Sequence, residues 1–488
     1  MSTLDIYRGL CAAETGHAVP RRSVRHTHLG DSPLVMCALH LANEIGAVVG
    51  IVYGTERDAP QVVAVGNPLD RATRFPALVP VAEAIVEYVD LFRAVETRMR
   101  TPSRGRYAGR ERAEVLALDT PQIVTPNAAT RRWLGDVLSR SLRYLRADEQ
   151  GVDPLLPLAG AHLTAITQEA RSPLSAMAIS ATELLAAHWT TGQLKAETEN
   201  LHSLLGWIAP PPGSTGRAEG LSAEATQPPA GPVPDVGFDG PLYAAVEDWR
   251  DAVAAGTDPV EASERMRAAV LSELRPAYNA TFDALAVARE LTPGAHDGER
   301  HAMDRRAWAR HLERADGGQA FFRRLLDALS AARVLQRSEA GTQEYERQQA
   351  LDDPEVMREL IVDGNALRGR VTAVDPDHRI GRRYRPRVTL EPRPPYLQAS
   401  GARLTWAAQP ATSAEVIEVD PAAGTVTVQL AGGMGRGRPR AQVLPSPEST
   451  ALFSPYGVAS YYPPTLPDRL PWTHAAVPAG TPDGQDPT

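Results

Sequence analysis

The first hundred residues alternate apolar runs with polar breaks in a pattern of mixed helices and strands. Ser32 and Pro33 supply a capping hydroxyl and a first-turn proline, and residues 34–42 are apolar nearly all round. That combination predicts a buried helix ending at Gly46. The β-branched runs at 47–53 and 61–65, separated by a polar turn at 55–60, predict neighbouring strands. Helical spacing returns over 78–99. Residues 1–127 therefore read as an N-terminal α/β module.

Residues 128–209 read as helical, with Trp133, Leu134, Val137, Leu138, Leu142 and Leu145 at helical spacing. Residues 210–241 turn rich in Pro, Gly, Ser and Ala and poor in aliphatic side chains, the composition of a flexible linker. A second helical domain is expected over 242–367, with a stripe through Phe321, Phe322, Leu325, Leu326, Leu329, Ala332 and Leu335. From 368 the period shortens to two. Strands are predicted at 369–375, 387–390 and 404–406. A hairpin of 414–420 and 425–430 turns through 421–424, and together these predict a small β-barrel over 368–474. A Pro/Gly/Asp-rich tail, 475–488, is expected to be disordered. The fold class is α+β multidomain.

Composition narrows the chemistry. All but one of the 51 basic residues are arginine, the exception being Lys195. Lys195 follows no glycine-rich loop, so the chain lacks the lysine that a phosphate loop, a kinase or a Schiff-base enzyme requires. A net charge of −8 gives no general attraction to nucleic acid. Two cysteines, no signal-peptide pattern and no apolar run of the ~20 residues a membrane span needs fit a cytoplasmic protein away from membranes.

The densest set of metal-ligand types is His26, His28, Cys37 and His40. Zinc sites usually announce themselves by paired Cys-x-x-Cys spacing, which is missing, so these four read as structural positions and no metal or other cofactor is expected. Gln193 and Lys195 match the last pair of a restriction-type nuclease motif, but no carboxylate-bearing hairpin precedes them to hold Mg²⁺. The stronger signal is a basic cluster: Arg370, Arg379, Arg382, Arg383, Arg385 and Arg387 around Tyr384, with Arg436 and Arg438 beyond the hairpin. Arginine forks pair with phosphate and tyrosine faces stack on bases, which suits nucleic acid. The same residues also suit a protein-docking face, or a plain solvated face whose arginines pair locally with Asp375, Asp377 and Glu391.

The C-terminal segment resembles the β-barrel that precedes the motor in some bacterial superfamily-one helicases. The residues that carry the likeness are 367–375, 387–390, Gly401 to Trp406, the Val416 hairpin, Gly432 to Met434 and Leu470 to His474, about a quarter of the chain. No Gly-x-x-x-x-Gly-Lys motif follows, so none of that family's ATP-site residues is carried over. What the resemblance implies is a non-catalytic accessory or adaptor subunit of a nucleic-acid-processing, helicase-type assembly, with a defence assembly among the candidates. It would dock through its barrel onto a separately encoded motor. The alternatives are a stand-alone DNA- or RNA-binding protein using the barrel arginines, and an enzyme with an unrecognised N-terminal site.

Overall fold

The run at 34–42 is a strand, not a helix. In the computed structural model, which describes residues 2–100, 111–146, 151–193, 200–227, 230–233, 239–318, 328–432, 437–440 and 443–457, β1 (Leu34–Leu41) turns directly into β2 (Glu44–Gly54), and β2 pairs antiparallel with β3 (Gln61–Ala64). Leu34, Met36 and Ala38 face one core while Val35, Cys37 and Leu39 face another. A strand buried on both faces has no polar side, so its period of two disappears from the sequence. β4 (Ile123–Thr125) and β5 (Ala178–Ser180) add in parallel, giving the order β3-β2-β1-β4-β5. The β2–β3 pairing agrees with the sequence expectation. The helix expected over 78–99 stops early, and Val95–Arg100 pairs with Arg112–Ala117 as a hairpin.

Helices cover both faces of this sheet. After α1 (Thr3–Thr15) at the N-terminus, α2 (Val79–Asp90) and α3 (Leu155–Glu169) lie on one side. On the other lies α7 (Val260–Arg289), which follows α4 (Ala181–His188), α5 (Leu201–Ile208) and α6 (Gly216–Thr226). The next helix, α8 (Asp297–Asp316), drives the fully buried Trp308 into the first core. The two cores thus run across the sequence boundaries at 127 and 241.

The stretch read as a linker contains α6, packed on α5. Small residues make this possible: a Cβ at Gly206 would lie 2.8 Å from the Gly220 nitrogen, so the helices touch backbone to backbone. Farther on, Ala230 and Pro232 are buried. The Pro232 carbonyl accepts from His40 N–H at 2.8 Å, and Asn127 Nδ2 donates to the Gly231 carbonyl at 2.7 Å. This short strap crosses the carboxyl ends of β1 and β4.

α9 (Pro354–Val362) leads into the barrel and is bolted to the N-terminus. Arg8 pairs with Glu355 at 2.9 Å and with Glu359, and Arg22 reaches Glu359 at 2.6 Å. The barrel closes in the order β6-β7-β10-β9-β8-β11. Its strands are β6 (Leu367–Asp375), β7 (Arg387–Pro392), β8 (Arg403–Trp406), β9 (Ser413–Asp420), β10 (Thr425–Leu430) and β11 (Thr450–Ser454). Every pairing is antiparallel. Alternate residues such as Val371, Val388, Leu390, Val426, Val428 and Phe453 fill the interior completely. Bulges at Val371/Ala373 and Val416/Glu418 help the sheet curve shut. No helix among the described residues is long and apolar enough to cross a membrane.

Candidate functional site

The basic cluster resolves into paired and free arginines. Between β6 and β7 a ribbon projects, with Arg379–Ile380 paired to Arg383–Tyr384 around Gly381, whose φ of 59° suits only a residue free of Cβ strain. Five arginines, 379, 382, 383, 385 and 387, fall in nine residues without a carboxylate. Arg379 lies 4.0 Å over the Tyr384 ring and hydrogen bonds its hydroxyl, and Arg385 donates to the Tyr384 carbonyl at 3.2 Å. Arg382, Arg383 and Arg387 are exposed and take part in none of the ion pairs among the described residues. Arg370 and Arg438 are committed instead. Arg370 pairs with Glu391 and Glu448, each at 2.7 Å, and Arg438 with Asp377 at 2.6 Å. One face of Tyr384 carries Arg379 rather than lying open for a base. Arg436 and Lys195 lie outside the described residues.

The four metal candidates do not converge. Cys37 packs fully buried against the α7 core, and burial pushes its thiol far up from its ordinary range. His40 stands with its ring centroid 6.0 Å from Trp133, and its Nδ1 lies 2.8 Å from the Leu41 carbonyl. His26 meets Asp353 at 3.3 Å. Burial alone would raise the Asp353 carboxyl, but hydrogen bonds from His26, Ser23 and the Glu355 N–H hold it far below the usual carboxylate range. Only His28 enters a ligand-like group. One ligand atom from each of His28, Asp119 and His301 lies within 4.8 Å of the others. Asp119 and His301 stand 91 and 273 residues from His28 by their numbers. No spacing motif links them in the sequence.

Beside this group a small recess is lined by His26, His28, Ser175, Ala176, Arg300 and Asp304. Burial pushes the Asp304 carboxyl up to about 6, against hydrogen bonds from Ser175 and the Ala176 N–H. In open α/β sheets ligands usually bind beyond the carboxyl ends of parallel strands. Here that crevice carries Asn127, Thr182 and the strap at 230–233 laid across it. Compared with known proteins, the chain matches no family model, no curated protein and no solved structure.

Proposed function

We propose that this protein is a non-catalytic accessory subunit of a nucleic-acid-processing assembly, and that its barrel ribbon grips the phosphate backbone. The observation that carries the reading is the run of five arginines at 379–387 with no carboxylate among them, of which Arg382, Arg383 and Arg387 stand exposed and without an ion pair among the described residues. A cation already paired with Glu or Asp must break that pair to meet phosphate, whereas these three need lose only water. The barrel's likeness to the segment ahead of a helicase motor supports a motor supplied by a separate chain in a cytoplasmic assembly.

Fluorescence anisotropy with labelled single-stranded DNA over a salt series tests the reading. Single strands lose affinity with a slope of about −0.7 per neutralised phosphate. Replacing Arg382, Arg383, Arg385 and Arg387 with Gln should reduce the slope by about 2 to 3 units. Equal slopes for the native chain and the variant would overturn the proposal and leave the ribbon as a protein-facing surface.

A further inference from the structure

We propose that His28, Asp119 and His301 bind a divalent transition ion of the zinc class. The three come from separate tethered segments. His28 sits in a loop whose carbonyl accepts from Gln122 Nε2 at 2.9 Å, and Arg25 in the same loop exchanges backbone hydrogen bonds of 2.8 Å with Thr292 and Gly294. Asp119 follows the hairpin strand Arg112–Ala117, where Arg305 of α8 donates to the Ala117 carbonyl at 2.6 Å. His301 projects from α8 itself. Ligands held this way cost little further ordering when an ion arrives.

The local chemistry suits a cation. Asp297 lies 3.1 Å from His28 Nδ1, the carboxylate–histidine contact that commonly orients a metal-binding imidazole and leaves Nε2 for the ion. The His301 Nε2 to Asp119 Oδ1 distance is 3.3 Å. Two ligands on one tetrahedral ion with bonds of about 2.0–2.1 Å stand about 3.4 Å apart, so this pair already has the right spacing. The Thr120 N–H also donates to Asp119 Oδ1 at 2.8 Å, which fixes the orientation of the carboxylate. His301 Nδ1 is buried with no hydrogen-bond partner among the described residues. The two imidazoles stack with centroids 3.9 Å apart and planes at 23°. Two histidines and a carboxylate leave a fourth position, and the Asp119 side chain is 54% exposed, so that position faces water. This is an open site and not a closed structural one.

Titration of the purified full chain with Co²⁺ alone reads the site directly, through the visible absorption of low-coordinate cobalt. One equivalent should bind, with the band lost on adding Zn²⁺. Asp119→Asn and His301→Gln should each weaken Co²⁺ binding by about 100-fold or more, beyond the 10–100-fold typical of outer-shell partners. Asp119 is exposed enough that its variant should keep the native circular dichroism, and Zn²⁺ should raise the melting temperature of the native chain but not of that variant. Absence of a visible band in the native chain overturns the proposal, as does unchanged affinity in the folded Asp119→Asn protein.

Discussion

Arginine does two different jobs in the two halves of this molecule. In the helix-covered sheet it ties together segments remote in sequence: Arg8 and Arg22 meet Glu359, Arg305 meets Glu96, and Arg300 donates to Gln348 at 2.8 Å. Arg8 and Arg300 are almost wholly buried. On the barrel ribbon and at the start of β7 the same side chain is exposed at 382, 383 and 387 and forms no ion pair among the described residues. A planar fork with fixed donors serves both uses, inward to carboxylates and outward to anions. The difference lies in where acidic residues are placed: they meet the interior arginines and are missing from 379–387.

The largest effect should come from breaking an interior tie. Glu359→Ala leaves Arg8 and Arg22 with less compensation in a buried setting, and such losses cost about 3 kcal/mol or more. Urea unfolding measures it. The matched change Arg382→Ala on the ribbon should stay within about 0.5 kcal/mol. Similar losses from the two would erase the contrast.

Acid should also act on the helix-covered body. Burial lowers His162 and His188 to about 4 and His311 to about 3, with a 2.8 Å contact between His162 and His311. A histidine held below its ordinary 6.5 contributes stability that is complete above that pH and is lost as pH falls toward the folded value. Asp304, pushed up to about 6, opposes this by binding a proton in the folded state first. Near pH 5 the unfolded chain therefore binds about two more protons, a loss of about 3 kcal/mol per pH unit. Urea midpoints between pH 7.5 and 5 give the slope. Replacing His162 and His311 together with Gln should flatten it, and a slope unchanged by that pair would assign the acid sensitivity elsewhere.

The barrel was legible because each strand has one buried face, so Val426, Val428 and Leu430 alternate with residues less deeply placed. β1 was not, because both of its faces are covered and its sequence is apolar throughout. α6 was hidden for a different reason. The Gly and Ala that let it touch α5 are the residues that make a segment look like a linker. For the candidate sites, the arginine run was visible and so were Asp377 and Glu391 as local partners, but not which arginine each would hold, and Glu448 lies 78 residues from Arg370. His28 stood out as a ligand type, but Asp119 and His301 reach it only through the packing of α8 on the hairpin. Long-range pairing of polar groups leaves no period to read.

The finest test sets two arginines of one barrel wall against each other. Arg370 on β6 is exposed and holds both Glu391 and Glu448, whereas Arg387 on β7 stands opposite Asp375 in the register without forming an ion pair. Surface pairs contribute about 0–1 kcal/mol, so Arg370→Gln should barely move the urea midpoint. It should also leave the salt dependence of single-stranded DNA binding unchanged, because that guanidinium is already neutralised by its neighbours. Arg387→Gln should lower the slope by about 0.7, the release from one phosphate, with no change in folding. If Arg370→Gln lowers the slope as much as Arg387→Gln, then pairing does not decide which arginines meet phosphate. The distinction between committed and free arginines would then fail within the barrel itself.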